Sequence, residues 1–210
     1  MAKLTLYDYE LDDQCYKVRL FLGALGCLYD KVAVDVHPGS EHRSARYLRL
    51  NPLGALPILT EADLTIYGAE AILTYLALKY DTARVWLPEK PETFGRIMQW
   101  LAFSGSILSA ASIARAHALF EIEADETKVY RKARLAFRLM EDHMTKQQFD
   151  DTFWFIGNTA TIVDIALFPN IALSRDFGVD HDEYPALRRW MAHVRGIPGF
   201  ITMPGIPAYH

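Results

Sequence analysis

The sequence predicts two domains. A small α/β domain of order βαβαββα spans 1–80, a linker follows at 81–91, and an all-helical domain spans 92–210. Three observations carry this. Short strand-like runs, Lys3–Asp8, Tyr29–Val36, Ile58-Leu59 and Leu64–Tyr67, all fall before Tyr80. Pro88 and Pro91 interrupt the chain just after that point. Nothing beyond them reads as strand, while long segments with helical spacing do.

Each element has its own signal. Cys15–Leu25 is helical, with Val18, Leu22 and Leu25 on one face and Gly26 as a stop. His42–Leu50 is a short helix ended by Asn51-Pro52. The first two strands are joined through a helix and should be parallel, with a right-handed crossover. The last two flank the Glu61-Ala62-Asp63 turn and should form an antiparallel hairpin. Pro57 stands at the mouth of the third strand, where a ladder would want the N–H it lacks. Ala69 then starts a helix that closes at Tyr80. In the second domain, Thr93–Phe120 and Lys128–Phe149 read as helices. Thr161 with Asp164 reads as a capping box, Asp replacing the usual Glu or Gln. Pro185–Val194 is a further helix, ended by the Pro198-Gly199 turn.

Composition narrows the function. The chain is 51% hydrophobic and 23% charged, an ordinary balance for a globular protein with ample core. Its net charge of −4, with basic residues spread along the chain, argues against nucleic acid as the main partner. No apolar run reads as long enough to span a membrane. The first strand begins almost at Met1, which leaves no room for a signal peptide. Cys15 and Cys27 are the only cysteines, which suits a reducing cytoplasm and offers no disulfide framework. No cluster has metal-ligand spacing.

A βαβαββα unit with a proline opening its third strand resembles the thioredoxin fold. Followed by a helical domain, it resembles the glutathione transferase superfamily. Cys15-Tyr16-Lys17-Val18-Arg19-Leu20 is similar to the first helix of bacterial members. Asn51-Pro52-Leu53-Gly54-Ala55-Leu56-Pro57-Ile58-Leu59 is similar to the run before their third strand, and Ala71–Leu76 to their third helix. Gly157–Asp164 and Pro185-Ala186-Leu187 with Trp190 and Pro198-Gly199-Phe200 resemble the second domain. The resemblance implies a cis Pro57 that turns the backbone of Leu56 outward, to pair with glutathione laid beside it like an added strand.

The resemblance also implies site residues, and several depart from the family pattern. At the start of the third helix, an acid or Gln and then a Ser are replaced by Gly68 and Ala69. The serine hydroxyl would bind the γ-glutamyl carboxylate. Its loss removes roughly 1.5–3 kcal/mol, about 10- to 100-fold in affinity. Helix N–H groups remain to favour an anion. Glu70 should point elsewhere, and its charge would repel a carboxylate. The thiol-activating serine falls at Asp12, which would raise a neighbouring thiol pKa yet could act as general base or protonated acid. Asp12 also reads simply as an acid at a helix start, and Tyr9, Gln14 and Cys15 stand nearby. Cys15, inside the helix, reads as a packing residue. His42 or Arg43 could meet the glycyl carboxylate, or be an exposed turn. A second-substrate pocket is expected along Phe103, Ser106, Ile107, Ala110, Ala114 and His117, a face that could equally serve helix packing. The expected activity is glutathione-dependent transfer of the thiol to a small apolar electrophile, or glutathione-assisted lyase or isomerase chemistry, in a cytoplasmic homodimer. The alternative is a binding or regulatory protein of the same fold without that chemistry. A thiol–disulfide oxidoreductase fits poorly, for want of Cys-x-x-Cys.

Overall fold

The computed structural model describes residues 3–206. Its strands are β1 (Leu4–Asp8), β2 (Tyr29–Ala33), β3 (Ile58–Glu61) and β4 (Leu64–Tyr67). Its α-helices are α1 (Asp13–Ala24), α2 (Ala45–Leu48), α3 (Ala69–Tyr80), α4 (Pro91–Gly105), α5 (Ser109–Phe120), α6 (Glu126–Phe149), α7 (Ile162–Ala172) and α8 (Pro185–Arg195). The sheet order is β2-β1-β3-β4, with β1 parallel to β2 and antiparallel to β3, and β3 antiparallel to β4. All four strands precede residue 81, and the helical layer follows.

The helix α1 is covered on nearly every side: Cys15 through Leu22 are all buried. It packs on α3 within its own domain and on α7 of the helical layer, so it fixes one layer to the other. Every residue of α7 is buried, and its start carries the predicted box. The Thr161 hydroxyl accepts from Val163 N at 3.3 Å, and Asp164 accepts from Thr161 N at 2.8 Å. Asp164 also takes hydrogen bonds from Phe155 N at 3.1 Å and Trp190 Nε1 at 2.9 Å, tying α7 to α8.

Two predicted helices are broken. The expected Thr93–Phe120 helix stops at Gly105 and restarts at Ser109. Serine side chains take over at the break: Ser106 Oγ donates to Ala102 O at 2.6 Å, and Ser109 Oγ donates to Ser106 O at 2.5 Å. Such local bonds compete with the helical ladder. The expected His42–Leu50 helix is a 3-10 turn, Glu41–Arg43, then α2, with Ser44 extended between them. By length and composition alone, 91–120 is also apolar enough to cross a bilayer, contrary to the reading of the sequence. Here it packs against α7 and α6 as two pieces.

Candidate functional site

The loop before β3 is built by Asn51, which donates from Nδ2 to Ala55 O at 2.8 Å and accepts from Leu53 N at 3.0 Å. The Leu56–Pro57 bond is cis. Among the described residues, the backbone N–H and C=O of Leu56 have no hydrogen-bond partner, so the chain offers an open edge there. Gly68 N donates to Pro57 O at 3.2 Å, which sets the start of α3 beside that edge. Gly68 needs its glycine: its φ is 87°, and no atom lies within 4 Å of where a Cβ would stand. Ile72 N is the first amide to bond back, to Gly68 O at 3.0 Å, and no side chain caps the helix. The N–H groups at 69–71 therefore lie ahead of the ladder, where a helix favours an anion. Ala69 itself is buried.

Glu70 does not stand against that anion site as a bare charge. Its Oε1 accepts from Lys17 Nζ at 3.1 Å and from Ser104 Oγ at 2.8 Å. Lys17 is fully buried on α1 and also donates to Gln14 Oε1 at 3.0 Å and Ser104 Oγ at 2.9 Å. Burial alone would push the Glu70 carboxyl up, but Lys17 and Ser104 bring it below its ordinary value. Gln14 extends the network, donating from Nε2 to Asp13 at 3.2 Å and Ser112 Oγ at 3.1 Å. Ser112 and Asn170 donate to the same Asp13 oxygen, at 2.5 Å and 2.7 Å. The predicted candidate Gln14 thus has both ends of its amide engaged, Oε1 by Lys17 of the same helix and Nε2 by Asp13 and, across to α5, by Ser112, and is not free to meet a thiol.

Asp12 caps α1, its Oδ1 accepting from Cys15 N at 2.7 Å. It lines a cleft of about 260 Å³ with Tyr9, Leu11, Val36, Arg115 and Phe120. Burial, with the adjacent Asp13 charge, pushes its carboxyl up to about 7, against hydrogen bonds from Cys15 and the attraction of Arg115. The preceding loop is tied to α1 by Arg19. Arg19, buried, holds Asp8 at 2.5 Å and reaches Tyr9 O and Glu10 O. Tyr9 packs on Phe120, ring centroids 6.0 Å apart, and His37 packs on the same ring at 5.0 Å. Cys15 is buried, its Sγ accepting from Tyr9 N, and burial with the Asp12 charge raises its thiol well above the ordinary value. Such a thiol is inert.

The expected second-substrate face is corrected. Ala110 and Ala114 are buried in the helical core and line neither the Asp12 cleft nor the groove along α4. Phe103, Ser106 and Ile107 line a different groove of about 570 Å³, with Trp100, Leu139 and His143. The break at 106–108 turns another face of α5 to the Asp12 cleft: Ser112, Ile113, Ala116 and Phe120, with Arg115 between them. His117 lies on α5 too, its Nδ1 2.8 Å from Ile122 O, outside that lining. Arg115 was not anticipated, although it is the one cation among the small residues of 109–116. It pairs with Asp176 at 2.7 Å and donates to Leu11 O, bracing the cleft wall. Arg43 is exposed beside Gly54, near the Leu56 loop. His42 is half-buried, and its Nδ1 has no partner among the described residues. A separate cavity of about 730 Å³ around Trp86, Trp154 and His193 holds none of these residues.

Comparison with known proteins adds the following. The glutathione S-transferase N-terminal domain family matches residues 2–78, and the glutathione S-transferase C-terminal domain family matches 105–193. A protein of Vibrio cholerae named "Probable maleylacetoacetate isomerase" is 28% identical over 95% of this chain and 94% of its own. Glutathione S-transferase GstB of Escherichia coli is 26% identical over 97% of this chain and 99% of its own. The crystal structure of a glutathione transferase homologue from Drosophila mojavensis with bound glutathione superposes with a TM-score of 0.83. It is 26% identical, covering 94% of this chain and 92% of that one.

Proposed function

This chain belongs to the glutathione S-transferase superfamily, and on that footing we propose that it binds glutathione as co-substrate and applies its thiol to a small electrophile. The observation that supports this most is the open backbone of Leu56 beside the uncapped start of α3. An extended peptide can pair with the first, and its terminal carboxylate can meet the second. The residues present fit the tripeptide without the usual serine at 69, with Gly68 leaving the backbone open to close approach. His42 and Arg43 are the groups for the far carboxylate.

Asp12 and Tyr9 are the candidates to meet the thiol. Asp12, raised to about 7, is poised to accept the thiol proton near neutral pH. The thiolate then attacks the electrophilic carbon. In transfer, a leaving group departs with its electron pair; in isomerisation, the sulfur adds and is expelled again. The acceptor rests in the cleft between Tyr9, Ile113, Ala116 and Phe120, whose apolar walls suit a small apolar molecule. The domains divide at the 81–91 linker. We place the protein in a reducing cytoplasm, as a homodimer, which sedimentation velocity would test against a monomer near 23.9 kDa.

Turnover of an electrophile panel, with and without glutathione, tests catalysis. Glutathione-dependent conjugation or isomerisation lost in Asp12→Asn is the expected result; binding without turnover of any electrophile would contradict it. That outcome favours the second reading, a non-catalytic binding or regulatory protein. Its support is the absence of serine at both Asp12 and Ala69.

A further inference from the structure

A carboxylate side chain one residue inside the uncapped start of α3 should spoil an anion site. Glu70 is such a side chain, and its Cδ and Oε2 both lie 4.0 Å from where a Cβ would stand at Gly105, the last residue of α4. The same carboxylate is tied through Oε1 to a fully buried ammonium that has no other acidic partner among the described residues. Lys17 reaches it from α1, and Ser104 from α4 donates to the oxygen that Lys17 holds.

We propose that Lys17 is a positioning residue for glutathione: by neutralising and anchoring Glu70, it keeps the start of α3 able to accept the γ-glutamyl carboxylate. This rests on the reading that glutathione binds there. The buried ammonium does not touch the ligand. Its effect is electrostatic: with Lys17 present, a carboxylate arriving at the N–H groups of 69–71 meets a neutral pair. Without it, the ligand meets a second negative charge in a partly desolvated setting. The network also explains the placement of Ser104, which satisfies Lys17 and Glu70 together and makes the subsite depend on the docking of α4.

The test is a calorimetric glutathione titration of the wild type, Lys17→Met and the Lys17→Met/Glu70→Gln double variant. Lys17→Met should weaken glutathione on the order of tenfold, and the deficit should narrow at high salt. With turnover assayed, the change should fall on KM for glutathione, with little on kcat. The double variant, which has neither charge, should return to within about threefold of the wild type. Unchanged affinity in Lys17→Met, or a double variant as weak as the single one, would overturn the proposal. If Lys17→Met does not fold, the double variant decides: near wild-type affinity supports charge balance, and a tenfold loss overturns it. No glutathione heat in the wild type would instead refute the glutathione reading, and this inference with it.

Discussion

Replacing Asp12 by Asn should stabilise the protein and disable it. Asn caps a helix about as well as Asp, so the bond to Cys15 N is kept. What goes is a carboxylate whose folded pKa lies near 7 against 3.8. A carboxyl raised in this way stabilises the fold fully below pH 3.8, and that contribution is lost as pH rises through 7. Three units correspond to about 4 kcal/mol at pH 8. Asp12 is partly open to cleft water, so about 2 kcal/mol is the better figure. In a domain pair of this size, that is about 5 °C in Tm. Urea unfolding of wild type and variant at pH 8, 6 and 4 is the assay. The gain should be largest at pH 8 and fade towards pH 4. A variant less stable than wild type at pH 8, or equally stabilised at every pH, would refute the reasoning. As a base, Asp12 also predicts that wild-type kcat/KM rises through about pH 7, with turnover down about 100-fold or more in the variant.

Other expectations follow from the same contacts. Asp164→Ala leaves the amides of Thr161 and Phe155 and the Trp190 indole without their buried acceptor, and should cost about 3 kcal/mol or more in denaturant unfolding. His181, buried, has its pKa lowered to about 4 by burial and by Arg175, so stability should fall as pH drops from 6.5 towards 4. The loss, roughly 3 kcal/mol, is best read in the Asp12→Asn background, where the opposing carboxyl is gone. Ala69→Ser restores a hydroxyl at the start of α3 and should tighten glutathione about tenfold by calorimetry; an unchanged constant would place the ligand elsewhere. Cys15→Ser and Cys27→Ser together should leave turnover intact, since neither thiol is activated.

The element order, the parallel first pair, the hairpin, the proline at β3 and the Thr161 cap were legible because each rests on neighbours in sequence. A turn, a crossover length or a cap needs only a few adjacent residues. The site was less so. Lys17 and Glu70 are 53 positions apart, and Gln14 and Ser112 are 98 apart, so no local pattern foretells their pairing. Glu70 read as a repulsive charge because its partner lies on another helix. The second-substrate face failed for a different reason. Projecting one unbroken helix through 106–108 carried the stripe from Phe103 onto Ala110 and Ala114. The break rotates Ile113, Ala116 and Phe120 into the cleft instead. The run Ser104-Gly105-Ser106 carried the warning, three weak helix formers in a row.

The central claim is that a serine-less α3 start, open at Leu56 and balanced by Lys17, still takes glutathione. Isothermal titration of glutathione into the wild-type protein at pH 7 measures this directly. A saturable heat with one site per chain, at millimolar ligand or below, is the predicted result. No heat, together with no thermal shift at the same concentrations, would contradict it.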